Sequence, residues 1–90
     1  MPQAIGDPEE LERFASSLKQ FNNNLNNSMS QLNGQFSQLS STWRDQEHAR
    51  FAQEFEQTMR TLRNFMQEAD RHIPLLQRKA KLLRDYLNQR

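Results

Sequence analysis

The side chains in this sequence that could move a proton, hold a metal or attack a bond are few and scattered. There are two histidines, His48 and His72, and no cysteine. A di-iron centre in a helical protein takes Glu-x-x-His pairs, whereas the nearest pairing here is Glu68 four residues before His72. At that spacing the two side chains share a helix face, and a surface contact worth roughly 0.2–0.5 kcal/mol is the commoner outcome. The serines fall among asparagines and glutamines without a local base, and no glycine-rich stretch could cradle a phosphate. Catalytic residues, cofactors and metals are therefore not expected. The chain reads as an interaction protein.

The residues that do recur are apolar, and their spacing is helical. Leu11, Phe14, Leu18, Phe21, Leu25, Met29, Leu32, Phe36, Leu39 and Trp43 follow one another in steps of three and four, a coiled-coil seam. A second helix carries Ala52, Met59, Met66, Ile73, Ala80 and Leu87, interleaved with Phe55, Leu62, Ala69, Leu76 and Leu83. Here Met59 and Met66 are seam residues before they are a docking face. Asp7-Pro8-Glu9-Glu10 is a helix start, with a capping carboxylate, a proline whose missing amide is harmless, and acids at the positive end of the dipole. Ser40-Ser41-Thr42 and Asp45 favour caps over helix interiors, which makes the connection short and the two helices antiparallel neighbours.

These signals predict one domain over residues 1–90: a frayed arm over 1–6, a helix over about 8–41, a turn over about 42–45, and a helix over about 46–88. Asn22, Asn23, Asn24, Asn26, Asn27 and Ser28 have poor helix propensity, so packing must hold that stretch. Gly34 marks either a close helix crossing or a soft point. Pro74 removes an amide and disfavours helical geometry at Ile73, which predicts a kink near residues 70–74 or a brief break and restart, with a tolerated kink favoured over a working hinge.

Composition sets the class. There is no valine, and both glycines precede residue 35, leaving little material for strands and hairpin turns. The class is all-α, an antiparallel helical hairpin. Two helices enclose almost no interior, so much of the apolar stripe needs another chain over it. Two hairpins are expected to pack as a four-helix bundle with crossing angles near about 20°. No apolar run approaches the roughly 18 residues of a membrane span, and no signal-peptide layout opens the chain. The protein is expected in the cytoplasm as made, without membrane insertion, and any export would use a route that reads something other than a cleaved leader. Arg78, Lys79, Lys81, Arg84 and Arg90 complement a helix C-terminus rather than pointing to nucleic acid or lipid.

With Trp43 at the junction, Asp45 two positions on and the aromatic Phe51 eight positions after the Trp, the chain resembles the Trp-Xaa-Gly (WXG) family of type VII secretion. The resemblance covers nearly the whole chain. Asp45 stands where Gly is usual, and Glu47 where a small residue is common. Asp can replace Gly where its side chain caps or where left-handed geometry is mild. The resemblance implies a homodimer, or a heterodimer with a similar hairpin, acting as a substrate or adaptor of the secretion system. The family's export signal is a Tyr followed four residues later by an acid, and here Tyr86 is followed by Leu87, Asn88, Gln89 and Arg90, with the acid before it at Asp85. In the family the signal can lie on only one partner of a pair. The alternative is a cytoplasmic coiled-coil or chaperone-like module with no link to export.

Two sets of residues are candidate contacts. Trp43, Asp45 and Phe51 form the turn motif, with the indole expected to close the hairpin end against Phe36, Leu39 or Phe51, a role that overlaps with partner binding. In an antiparallel register the start of the first helix, near Asp7, lies opposite about residue 81. Leu82, Leu83, Tyr86 and Leu87 continue the apolar pattern past that point, without cover from the first helix. They are expected to pack on a second protomer or dock a partner, with Pro74 setting their direction.

Overall fold

A computed structural model describes residues 6–89 and shows two helices, α1 (Pro8–Leu39) and α2 (Gln46–Leu87), folded against each other. Each start is capped by the carboxylate before it. Asp7 accepts from the Glu9 amide at 3.0 Å, and Asp45 accepts from the His48 amide at 3.0 Å. These bonds satisfy amides that no earlier turn can reach, and acids in both first turns oppose the dipole favourably. The first helix ends at Leu39, slightly before the expected boundary. There the Ser41 and Thr42 hydroxyls donate back to the carbonyls of Gln38 and Leu39, and the Trp43 amide closes on Leu39. Side-chain bonds of this kind compete with the next helical turn and stop it. Residues 1–5 of the expected arm lie outside the described residues.

The hairpin is a rod of 69 × 17 × 16 Å. Of the seam expected in α1, only Met29 lies on its buried centre line. Pro8, Ala15, Asn22 and Met29, spaced by seven, are the buried residues of α1, while the parallel leucines grade from half-buried Leu11, Leu18 and Leu25 to exposed Leu32 and Leu39. Opposite them α2 buries Met59, Ala69, Ile73, Ala80 and Leu83. With a single neighbour, each helix has one line of closest approach, and small residues such as Ala15, Ala69 and Ala80 let the backbones come together there. The leucines and phenylalanines then flank the line on one side, half-covered or bare.

At two backbone positions one of the expected alternatives falls away. Around Gly34 there is open space, since an added Cβ would meet nothing within 4 Å, so no close crossing calls for the glycine. At Pro74 the helix neither stops nor restarts: α2 is helical from Gln46 to Leu87 with Pro74 inside it. The exposed ring faces solvent while Ile73 turns inward, so the lost amide costs one hydrogen bond at the Asp70 carbonyl without disturbing the packed line.

Candidate interaction surfaces

At the tip, five rings gather. Phe36 stacks on His48 at 5.4 Å and leans on Phe51 at 5.6 Å and Phe55 at 4.9 Å. Trp43 stands edge-on to His48 at 5.1 Å and lies 6.0 Å from Phe51. The indole is half-buried and meets Phe51 as expected; its bridge towards Phe36 is the imidazole of His48, which sequence reasoning passed over. His48 is fixed by a 2.7 Å hydrogen bond between its Nε2 and the Ser40 Oγ, joining the end of α1 to the start of α2.

The Asp45 backbone explains how this turn does without glycine. Its φ of −87° and ψ of −174° are ordinary extended geometry, and no non-glycine residue among those described has a positive φ. An Asp here loses nothing sterically and gains the cap.

Along the rod, one broad face is apolar. Phe14 and Phe21 of α1 stand one heptad apart, and Phe21 meets Phe65 of α2 edge-on at 6.0 Å. A cleft of about 350 Å³ lies between Phe14 and Leu18 on one side and His72, Leu75 and Leu76 on the other. Nearer the tip a second of about 230 Å³ runs between Leu32, Phe36 and Leu39 and the rings of Phe51 and Phe55. Phe14, Phe21, Leu32, Leu39, Phe51, Phe65 and Leu75 are all exposed. A contiguous apolar strip of this length on a small protein marks an interaction surface.

The opposite face is polar. There Asn22, Asn23, Asn26, Arg63, Gln67 and Asp70 line a groove above Met66. Asn22 is buried, and its side-chain amide donates to the Met66 carbonyl at 3.1 Å and the Asp70 Oδ1 at 3.0 Å. Its own Oδ1 has no hydrogen-bond partner among the described residues. Such an orphan costs about 1–3 kcal/mol. Asn22 was read only as part of a weak helical tract; its place seven residues from both Ala15 and Met29 is the signal that would have found it.

At the base, the region past Lys81 is not bare throughout. Leu83 is buried beneath the segment leading into α1, so close that a Cβ on Gly6 would sit 2.7 Å from its Cδ1. Gly6 adopts a φ of 150°, so both conformation and space favour glycine there. Beside it the Arg84 guanidinium grips the Glu12 carboxylate at 2.6 and 3.1 Å. These hydrogen bonds, with the charge of Arg84 adding to them against partial desolvation, hold the Glu12 carboxyl below its ordinary range and push Arg84 up. The expected overhang is corrected for Leu83, because the turn before α1 extends its cover. Leu82, Tyr86 and Leu87 remain exposed.

Among the described residues, no group of three or more His, Cys, Asp or Glu is placed to hold a metal, and no helix is long and apolar enough to cross a membrane. No curated protein matches the sequence. In structure the chain is similar to a mutant of the secreted protein EsxB from Bacillus anthracis strain Sterne, with a TM-score of 0.76 and 24% identity, covering 100% of this chain and 99% of that one. A family model described as WXG100, "Proteins of 100 residues with WXG", matches residues 5–86, which take in Trp43, the tip and both helices. A helical hairpin turned at that Trp and matched over almost its full length belongs to the WXG100 family.

Proposed function

We propose that this protein is a non-enzymatic substrate or adaptor of type VII secretion that works through pairing of hairpins. The observation that carries this reading is the apolar face, which runs from Phe14 to the rings at the tip and is left bare on a family hairpin. EsxB, which shares the fold, is described as a secreted protein. The face is covered when two hairpins stack into a four-helix bundle.

Charge along α2 favours a second copy, stacked antiparallel. Within α2, Glu47, Glu54 and Glu56 against Arg50 lie towards the tip, and Arg78, Lys79 and Lys81 towards the base, where α1 adds Glu9, Glu10 and Glu12. Antiparallel stacking brings the basic stretch of each α2 over the acidic stretch of the partner's α2, while parallel stacking of those helices would set like charges together. Trp43 and Phe51 at the tip, and Leu82, Tyr86 and Leu87 at the base, then lie at both ends of the bundle, available to the partner protomer or to secretion machinery.

Sedimentation should show a dimer, and a compact stable monomer at micromolar concentration would sink the pairing. Export is tested separately, by detecting the chain in medium and lysate of source cells with and without the secretion ATPase. Retention in the lysate in both strains favours a cytoplasmic interaction module, a reading supported by the lack of an acid four residues after Tyr86.

A further inference from the structure

We infer that the apolar face is self-complementary and pairs two copies of this chain in one register, the Phe21–Phe65 pair of each hairpin seating in the other's cleft between Phe14 and His72. The inference rests on the pairing proposed above and adds which residues meet. Phe65 stands on the face with Phe21 edge-on beside it, both about half exposed. His72, in the cleft wall, follows Phe65 by one heptad and so shares its side of α2. A projection and a hollow thus lie about 10 Å apart along one helix. That is what an isologous interface needs, because a two-fold axis between them puts each projection into the other copy's hollow.

An axis that turns one hairpin end over end lays α2 on the partner's α2 and α1 on its α1. With Phe65 opposite the partner's His72, the axis crosses α2 between Glu68 and Ala69, close to the middle of a helix that runs from Gln46 to Leu87. Nearly the full length of α2 then overlaps its counterpart. The same register satisfies a second, independent condition. Phe51 lies three heptads before His72, and Tyr86 three heptads after Phe65, so the exposed Tyr86 of each base falls on the partner's Phe51 in the tip cleft. Lys79, on this same heptad series, comes opposite the partner's Thr58, one turn from the partner's Glu54.

Spin labels on the full chain test the register, since the sequence has no cysteine and each label can have a single attachment site. Glu56→Cys and Lys81→Cys are exposed, lie outside the apolar heptad positions and are equally far from the inferred axis. The distance between the two labels of a dimer should therefore be the same for both variants, about 40 Å. An axis through Phe65 would make the two distances differ by about 20 Å, and parallel stacking would bring both below about 30 Å. Either result overturns the register and leaves pairing standing, whereas a labelled chain that sediments as a monomer overturns both.

Substitutions probe the seat itself. Phe65→Ala should weaken the dimer at least about tenfold, as loss of a central aromatic anchor does. His72→Trp, which fills the cleft from within, should weaken it as well. In the double variant the new indole takes the space that the missing ring leaves, and dissociation should return to within about threefold of wild type. Losses that simply add would overturn the seat. The labels leave the aromatic pair intact, so they decide the register even where Phe65→Ala loosens the hairpin through Phe21.

Discussion

Trp43 and Asp45 mark the tip by different physics, and substitutions separate them. The indole is only half-buried, so Trp43→Ala removes part of a large apolar contact rather than all of it. We expect a loss of about 2–3 kcal/mol, at or below the low end for core aromatics, read from urea unfolding. A change under about 0.5 kcal/mol, typical of surface positions, would place Trp43 outside the hairpin's stability. Asp45 acts through one capping bond on extended backbone. Asp45→Ala should therefore cost about 1 kcal/mol, and Asp45→Gly, which restores the family's usual residue, only a few tenths. If Gly were clearly better than Asp, the turn would need a conformation that this one does not show.

The helices differ in how they are held, and the predictions at this scale follow from that. The first carries the asparagine tract and Gly34, with poor propensity along its middle and open space around the glycine. Gly34→Ala meets no neighbour and should raise stability by about 0.5–1 kcal/mol, chiefly by narrowing the unfolded ensemble. Thermal unfolding of the variant checks it. At the base, Glu12 has a carboxyl held below its ordinary range by Arg84. A depressed folded-state value means the clasp contributes above the unfolded carboxylate range, near about pH 4.3, and is lost as pH falls through the lower folded-state value. Wild type should thus exceed Glu12→Gln in urea midpoint at neutral pH, and the gap should close in acid. Both side chains are partly exposed, so added salt should also narrow it. A gap that is constant with pH would mean that Glu12 stabilises by packing alone.

For the whole molecule the governing fact is its shape, a rod of 69 × 17 × 16 Å with one apolar side. A single pair of helices leaves phenylalanines and leucines in water, and the proposed pairing would couple assembly to stability by mass action. The proposed antiparallel arrangement is tested by charge reversal. Lys79→Glu together with Lys81→Glu should weaken the dimer, and Glu54→Lys with Glu56→Lys in the same chain should restore it, measured by sedimentation across protein concentrations. Parallel stacking predicts no such rescue. Leu82→Ser with Tyr86→Ser separates assembly from partner docking: the side chains are exposed, so hairpin unfolding should move by less than about 0.5 kcal/mol. Truncation after Lys81 is a poorer test, since it also removes buried Leu83 and the Arg84 clasp.

What the sequence determined by itself is local. Periodicity of three and four, carboxylates ahead of each helix and a run of cap formers at the junction dictate two helices and a short turn, because each depends on neighbours within a few residues. The Trp at the turn carried the family. Which side of each helix faces the other is a different matter, decided only in the tertiary structure. Leu11 to Leu39 and Pro8 to Met29 both repeat every seven residues, and only the meeting of two backbones selects the line with the smaller side chains for the centre, putting Asn22 inside and Leu32 and Leu39 outside. The base could not be read for the same reason. Whether Leu83 is bare depends on the path of the chain before α1 and on a glycine whose missing Cβ makes room, contacts between residues nearly the whole chain apart. Pro74 signalled strain to a local reading, yet the helix runs on through it, since the proline faces solvent while residues on both sides of it are packed against α1.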